Sequence, residues 1–283
     1  MRALIDGDMP ANELGGLVEE YLDENDEKAK RPLAWEKVRA LAIGRFISII
    51  TNAEAGGHTA YLSKSRNFRH DIATIQPYKG NRKPEKRPYW APRIKDLYAD
   101  QFGAIYCDGY EADDGMAMDQ WGEYRQLYQL TNGDEEHIKS HSNTVICSRD
   151  KDLDTVPGWH FKWTLKKDKE KRILLGEVHA ESPPYYVTLI DATRNFYKQL
   201  LTGDTVDNIA GLYNVGPKSA WVKQLDEMDN EAEMYTHVKE KYVKYFANKW
   251  KDFLDETGKL LWLWRKPNDI WVSPAERDNS WYE

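Results

Sequence analysis

Short apolar segments recur along the first half of the chain, and three of them lead directly into acidic residues. These segments and their carboxylates are Arg2–Asp6 ending in Asp6, Gly103–Cys107 followed by Glu111, Asp113 and Asp114, and Thr144–Cys147 followed by Asp150 and Asp152. Segments with apolar residues at helical spacing, such as 35–51, lie between them. This alternation predicts an open α/β sheet, which binds ligands at the carboxyl ends of its strands.

Clustered carboxylates repel one another unless a cation or a proton neutralises them. Acidic residues are common in this chain, 47 of 283, so Glu111, Asp113 and Asp114 alone would indicate a solvated surface patch. The carboxylates after the other two apolar segments change this interpretation, because all of them are expected at one edge of the sheet. With no His or Cys among them, they indicate an all-oxygen site suited to Mg²⁺ or Mn²⁺ rather than zinc.

A basic segment between residues 66 and 87 is hidden by the formal net charge of −7. It contains seven Lys or Arg residues against two acidic ones, and aromatic residues lie within and beside it. Basic residues mixed with flat rings suit a phosphate backbone and stacked bases, although a solvated charged loop would have the same composition.

The second half of the chain begins with a predicted hairpin over 159–180 and a helix from about Asp191. Asp204 and Asp207 are predicted to share one side of a helical turn, because they are three residues apart. The segment 211–220 is predicted to be a glycine-bounded hairpin that opens a helix, with Pro217 in the first turn and Lys218 beside an anion site. A long helix over 231–255, a break at 257–258 and a short strand or buried extension at 260–264 complete the prediction.

The two cysteines, Cys107 and Cys147, each lie in an apolar segment and are predicted to be buried free thiols in a reducing cytoplasm. The chain enters an apolar strand within six residues, so no signal peptide is expected. No apolar run is long enough for a membrane span.

Five motifs in order resemble the 5′ nuclease superfamily, which includes flap endonucleases, the 5′ nuclease domain of DNA polymerase I and tailed-phage 5′ to 3′ exonucleases. The motifs are Leu-Ile-Asp-Gly at 4–7, Phe-Arg-His-Asp with Tyr-Lys-Gly-Asn-Arg at 68–82, Glu-Ala-Asp-Asp at 111–114, Ser-Arg-Asp-Lys-Asp at 148–152, and Gly-Asp-Thr-Val-Asp-Asn-Ile with Gly-Pro-Lys at 203–218. The compact size and the closing Glu-Thr-Gly and Leu-Trp pattern look most like a phage exonuclease.

This resemblance implies a PIN-like or Rossmann-like α/β domain over residues 1–190, with a mostly parallel central sheet and flanking helices. Residues 191–283 are then a helix-three-turn-helix region that binds duplex DNA, with a C-terminal helical extension. The implied protein is a monomer in the cytoplasm, that of the bacterial host if a phage encodes it, and it has no membrane partner.

The resemblance also implies two-metal phosphodiester hydrolysis with Mg²⁺, for which Mn²⁺ can substitute. The implied ligands are Asp6, Glu111, Asp113 and Asp114 for one ion, and Asp150, Asp152, Asp204 and Asp207 for the other. Lys79 and Arg82 match the family's catalytic cations, and Tyr78 matches its stacking aromatic residue. The implied DNA contacts also include Arg69, Lys83, Gly211, Gly216 and Lys218, with K⁺ at the hairpin 211–218.

The implied substrate is DNA with a 5′ end, a flap or a nick during phage replication or recombination, with RNA–DNA hybrid as a second substrate. One position departs from the family, because Ser63 stands where an aspartate is expected and contributes no charge. Two alternatives stay open: a PIN-like or RNase H-type ribonuclease, and a structure-specific DNA-binding protein that has lost catalysis.

Overall fold

The computed structural model describes residues 1–82, 87–167, 173–180 and 182–277. Its strands are β1 (Arg2–Asp6), β2 (Val18–Leu22), β3 (Lys28–Pro32), β4 (Gly57–Asn67), β5 (Ile105–Gly109), β6 (Thr144–Cys147), β7 (Gly158–Phe161), β8 (Trp163–Lys167), β9 (Ile173–Ala180), β10 (Tyr185–Val187), β11 (Gly203–Asp204) and β12 (Ile209–Ala210). Its α-helices are α1 (Asp8–Gly15), α2 (Trp35–Asn52), α3 (Arg69–Ile72), α4 (Ala91–Phe102), α5 (Ala112–Thr131), α6 (Glu135–His141), α7 (Leu189–Thr202), α8 (Ala220–Gln224), α9 (Glu231–Phe246) and α10 (Trp250–Leu261).

The chain forms two compact units. The first unit contains Met1–Lys64, Lys83–Asp150 and Gly158–Tyr186, and the second contains Ser65–Arg82, Lys151–Pro157 and Val187–Glu283. The second unit therefore takes in two earlier segments of the chain besides the C-terminal helices.

A six-stranded sheet in the order β10-β7-β6-β1-β4-β5 forms the centre of the first unit. β1 pairs in parallel with β4 and β6, and β6 pairs in parallel with β7. Ala3 and Ile5 of β1 share a buried core with Phe46 of α2, while α5 packs against β1 and β6. The mostly parallel α/β architecture predicted from the sequence is confirmed.

The predicted hairpin over 159–180 is partly wrong. Its first strand ends early, because residues 158–161 pair with β6 in the central sheet. The hairpin itself is formed by β8 and β9, which pair antiparallel from Trp163 opposite Ala180.

The second unit is built around α7, α9 and α10, whose apolar faces share one core. The predicted long helix over 231–255 is wrong: α9 ends at Phe246 and a 3-10 turn at Ala247–Lys249 precedes α10. Gly258 lies inside α10, where a Cβ atom would be 2.1 Å from Cε3 of Trp271. This glycine therefore permits the close packing of Trp271 rather than ending a helix. Residues 262–264 form the buried extension that was the alternative to a strand.

The region around Asp204 also differs from the prediction. Asp204 and Asp207 lie in the hairpin of β11 and β12, with Asp207 in its turn, rather than on one side of a helical turn. The next helix, α8, begins only at Ala220, so Pro217 and Lys218 precede it.

Cys107 and Cys147 are buried free thiols, as predicted. Among the described residues, no helix is long and apolar enough to cross a membrane.

Candidate metal and nucleic-acid site

Asp6 ends strand β1 and is 5% exposed. Its Oδ1 accepts hydrogen bonds from the amides of Asp8 (3.0 Å) and Met9 (3.2 Å), because α1 begins directly after the strand. Its Oδ2 accepts a hydrogen bond from Ser148 Oγ at 3.0 Å. The carboxylate is therefore held by the amino end of one helix and by a neighbouring strand.

Burial raises the pKa of Asp6 to about 7, and repulsion from the carboxylates of Asp8 and Asp150 adds to the shift. The hydrogen bonds from Met9 and Ser148 act in the opposite direction. Without a cation, this carboxyl group is neutralised most easily by a proton. A bound cation would take the place of that proton.

Ser148 joins the ends of two neighbouring parallel strands. Ile5 of β1 pairs with Cys147 of β6, so the residues that follow these strands lie side by side. Ser148 Oγ donates to Asp6 and accepts a hydrogen bond from the Asp150 amide at 3.1 Å. The sequence prediction that Asp6 and Asp150 converge at one edge of the sheet matches this geometry.

Ser63 occupies the position where the family pattern has an aspartate. Its Oγ accepts a hydrogen bond from the amide of Ala112 at 2.8 Å, at the beginning of α5. Its amide donates to both carboxylate oxygens of Asp8, at 3.1 and 3.0 Å, and its carbonyl accepts from Lys95 Nζ at 3.1 Å. The serine thus connects strand β4 with the starts of α1 and α5.

Asp8 is a carboxylate that the sequence reasoning missed. It lies two residues after Asp6, pairs with Lys95 at 2.7 Å and contributes to the raised pKa of Asp6. The second acidic residue of the segment Asp6-Gly7-Asp8 was the available signal. Asp8 brings to this edge of the first unit a negative charge that Ser63 lacks.

The acidic stretch at residues 111–114 forms the first turn of α5. Glu111 is the N-cap residue, its side chain accepts from the Asp114 backbone amide, and Asp114 Oδ2 accepts from the Glu111 amide at 3.0 Å. Asp114 is 0% exposed, whereas Glu111 and Asp113 are partly buried. The positive end of the helix dipole stabilises these carboxylates, and the capping arrangement fixes Glu111 and Asp114 at the start of α5.

Asp152 and Asp204 form a second group, in the second unit. Asp204 is buried, and its Oδ1 accepts from the amides of Val206 (2.7 Å) and Asp207 (3.3 Å). Burial alone would raise its pKa, but the hydrogen bond with Asp152 and those backbone amides hold the pKa of Asp204 below its usual value. A divalent cation near Asp152 and Asp204 would offset the repulsion between the two carboxylates.

Asp207 has different neighbours, although it lies only three residues from Asp204. Its carboxylate accepts from Tyr78 Oη at 2.7 Å and from Arg82 Nη2 at 2.6 Å, and Lys79 Nζ lies 3.4 Å away. The predicted catalytic cations are therefore paired with one of the predicted metal ligands.

Arg69 is a buried residue of the second unit, only 2% exposed. Its guanidinium donates to the carbonyls of Leu260 and Trp262, each at 2.8 Å. These contacts pack Arg69 against the end of α10. The DNA contact expected of Arg69 from the sequence stays a prediction. Tyr78 is 5% exposed within the second unit, where its ring packs edge-on against His70. The predicted contact residue Lys83 lies outside the described residues.

Gly203 begins strand β11 and pairs with Ala210 of β12, and Gly211 directly follows that strand. A Cβ atom on Gly211 would lie 2.2 Å from the Thr202 carbonyl carbon, and one on Gly203 would lie 2.2 Å from the Gly211 nitrogen. Gly216 has no such neighbour. Lys218 is exposed, and the amino end of α8 is capped by Ser219 Oγ, which accepts from Val222.

The chemistry of the donors fits a hard divalent cation, because every candidate ligand is a carboxylate oxygen. Within the part of the chain that the structure describes, no group of three or more His, Cys, Asp or Glu side chains is gathered tightly enough to hold an ion as it stands. What the structure shows instead is two acidic side chains that interact, Asp152 and Asp204, and a buried carboxyl group whose pKa is raised, that of Asp6. Both arrangements would be stabilised by a cation.

No family model matches the chain. The chain is 28% identical to DNA polymerase I of Rhizobium leguminosarum over 183 residues, which cover 62% of this chain and 16% of that protein. It is 26% identical to DNA polymerase I of Caldicellulosiruptor bescii over 210 residues, covering 70% of this chain and 22% of that protein. The chain thus spans about a fifth of the length of these curated relatives.

Two solved structures of the D15 protein of bacteriophage T5 each align with 92% of this chain at a TM-score of 0.46. One was co-crystallised with metal ions, at 16% identity and covering 97% of that chain. The other is a flap endonuclease variant in a pseudo-enzyme-product complex with DNA and metal ions, at 13% identity and covering 98% of that chain. The sequence similarity to DNA polymerase I confirms the resemblance of this chain to the 5′ nuclease superfamily.

Proposed function

We propose that this protein is a divalent-metal-dependent 5′ nuclease that acts on DNA as a 5′ to 3′ exonuclease and as a flap endonuclease. The observation that carries the proposal is the bridge from Asp6 through Ser148 to Asp150, at the ends of two neighbouring parallel strands. Carboxylates collected there suit a hard divalent cation. The similarity to DNA polymerase I supports DNA as the substrate.

The side chains that would hold divalent cations lie in both compact units. They are Asp6, Glu111, Asp113, Asp114 and Asp150 in the first unit, and Asp152 and Asp204 in the second. Mg²⁺ is the proposed ion and Mn²⁺ its substitute, because both prefer oxygen ligands. Bound cations would supply the Lewis acidity and the activated water that phosphodiester hydrolysis needs.

The protein's own residues orient these carboxylates and stabilise charge. Ser148 holds Asp6 and the backbone of Asp150, and Ser63 fixes the beginning of α5, which carries the acidic stretch. Lys79 and Arg82 are proposed to stabilise the negative charge that develops on the scissile phosphate.

We further propose that the substrate is a DNA 5′ end, flap or nick in phage replication or recombination, with RNA–DNA hybrid as a second substrate. Lys218 and the turns after Gly211 would contact duplex phosphates without reading sequence, with K⁺ bound at the same hairpin. The protein is proposed to act as a monomer.

Digestion of DNA duplex, flap and RNA–DNA hybrid, each with a 5′ label, tests the proposal in Mg²⁺ and in EDTA. We expect cleavage only with the metal, and a loss of at least about a hundredfold in Asp150→Asn, since the ligand's charge is removed. Asp100→Asn is a matched control, because Asp100 is an exposed residue of α4.

An unchanged rate in Asp150→Asn, or equal cleavage in EDTA, would contradict the metal-dependent mechanism. Faster cleavage of the hybrid than of the duplex would favour the ribonuclease alternative. DNA binding without any cleavage at saturating Mg²⁺ would favour a binding protein without catalysis.

A further inference from the structure

The segment 76–82 is fastened to the turn 205–208 of the second unit. Lys79 donates its amide to the Asp207 carbonyl at 2.8 Å. Three amide side chains add to this contact: Gln76 Nε2 to the Asn208 carbonyl (2.5 Å), Asn208 Nδ2 to the Pro77 carbonyl (2.8 Å) and Asn81 Nδ2 to the Thr205 carbonyl (2.7 Å). The two segments thus form one hydrogen-bonded structure.

The Asp207 carboxylate lies at the centre of this contact. Arg82 binds one of its oxygens, and Tyr78 and Lys79 approach the other. Lys79 Nζ also lies 4.9 Å from the centroid of the Tyr78 ring. Two cations and one hydroxyl donor face a single carboxylate, so the group as a whole keeps an excess of one positive charge.

The backbone of Lys79 supports a special role for this contact. Its φ of 55° is in the left-handed region, which costs energy for a residue with a side chain. Such a conformation persists only where the surrounding structure imposes it. The bond from the Lys79 amide to the Asp207 carbonyl is one of the contacts that impose it.

Asp204 is held quite differently. Its carboxylate accepts from backbone amides of its own turn and interacts with Asp152, another acid. That environment suits a cation ligand, whereas the oxygens of Asp207 are already neutralised by side-chain cations. Moving Asp207 to a metal ion would separate Lys79 and Arg82 from their shared partner.

We infer that Asp207 is a positioning residue that holds Lys79 and Arg82 for the substrate phosphate, and not a metal ligand. The catalytic role in this inference rests on the proposed nuclease function. The contacts of Asp207 with Lys79 and Arg82 do not depend on that function. The Arg82 side chain is 53% exposed, so its other guanidinium donors can bind a phosphate while the Asp207 pair stays intact.

The test compares Asp207→Asn, Asp204→Asn and the exposed control Asp226→Asn by three measurements. Titration with Mn²⁺ gives metal affinity, trypsin digestion reports release of the chain at Lys79 and Arg82, and steady-state kinetics separate kcat from KM. Asp207→Glu tests whether a carboxylate that is one methylene further from the backbone restores kcat.

We expect Mn²⁺ affinity to be unchanged in Asp207→Asn and lowered about tenfold or more in Asp204→Asn. Trypsin cleavage after Lys79 and Arg82 should be faster in Asp207→Asn than in the control. The kcat should fall by about tenfold or more with little change in KM, and Asp207→Glu should recover part of the loss.

Weaker Mn²⁺ binding in Asp207→Asn, comparable to that in Asp204→Asn, would overturn the inference, as would unchanged trypsin cleavage. If the unaltered protein binds no Mn²⁺ and cleaves no DNA, the proposed function fails. The trypsin comparison still decides whether Asp207 holds Lys79 and Arg82.

Discussion

The hydroxyl of Ser63 accepts a hydrogen bond from the amide of Ala112 at 2.8 Å, and so connects strand β4 to the first turn of α5. This relationship explains how a serine can occupy a position where the related family has an aspartate. The side chain orders the acidic stretch at residues 111–114, while Asp8 provides a negative charge nearby.

Ser63→Ala removes the acceptor for the Ala112 amide. Because the amide would be left without this partner, we expect the free energy of unfolding to fall by about 1 kcal/mol. Amide exchange in the first turn of α5 should also become faster. Ser63→Thr keeps the hydroxyl and is the matched control, so an equal loss in both variants would contradict the role given to Oγ.

Gly211→Ala places a Cβ atom 2.2 Å from the carbonyl carbon of Thr202. The nearest atoms are backbone atoms of Thr202 and Gly203, which cannot move away as a flexible side chain could. We therefore expect the free energy of unfolding, measured by urea denaturation, to fall by at least about 2 kcal/mol. Gly216→Ala, at a position with open space, should change stability by less than about 1 kcal/mol. Similar urea midpoints for the two variants would contradict the close approach of Gly211 to the backbone of Thr202.

Arg69→Lys should destabilise the protein by about 2 kcal/mol, because an ammonium cannot satisfy both the Leu260 and the Trp262 carbonyls in the fork geometry of a guanidinium. Arg66→Lys is the control at an exposed ion pair with Asp71 and should be nearly neutral. Urea denaturation measures both. If Arg69→Lys were as stable as the control and weakened DNA binding instead, Arg69 would be a substrate contact after all.

The raised pKa of Asp6 predicts a pH dependence of stability in the absence of metal. From the ordinary value of 3.8 up to about 7, the folded protein keeps a proton that the unfolded chain releases. The free energy of unfolding contributed by this group therefore falls as pH rises through that interval. Thermal denaturation in EDTA from acid to neutral pH should show this slope, and it should become shallower in Asp6→Asn. The same slope in Asp6→Asn as in Asp100→Asn would contradict the burial argument.

The sequence predicted the central sheet well because burial there imposes simple patterns. Strands β1 and β6 are continuous apolar runs, as expected for strands covered on both faces, and the carboxylates follow directly at their ends. The convergence of Asp6 and Asp150 then follows from parallel pairing alone.

The prediction failed where long-range packing overrides local pattern. Gly258 looks like a helix breaker in sequence, but the ring of Trp271 packs against it and α10 continues through it. The antiparallel pairing of Gly203 with Ala210 and of Asp204 with Ile209 replaces the helical turn expected around Asp204. Sequence spacing alone could not show that Arg69 is buried and donates hydrogen bonds to carbonyls about 190 residues further along the chain.

Release of product from the 5′ end is the measurement that tests the central proposal most directly. A flap substrate labelled at its 5′ end in one reaction and at its 3′ end in another should be followed in Mg²⁺ and in EDTA. The account predicts that short labelled products form only from the 5′-labelled strand, that they require the metal, and that Asp150→Asn abolishes them. Digestion from the 3′ end, or cleavage that persists in EDTA, would contradict it.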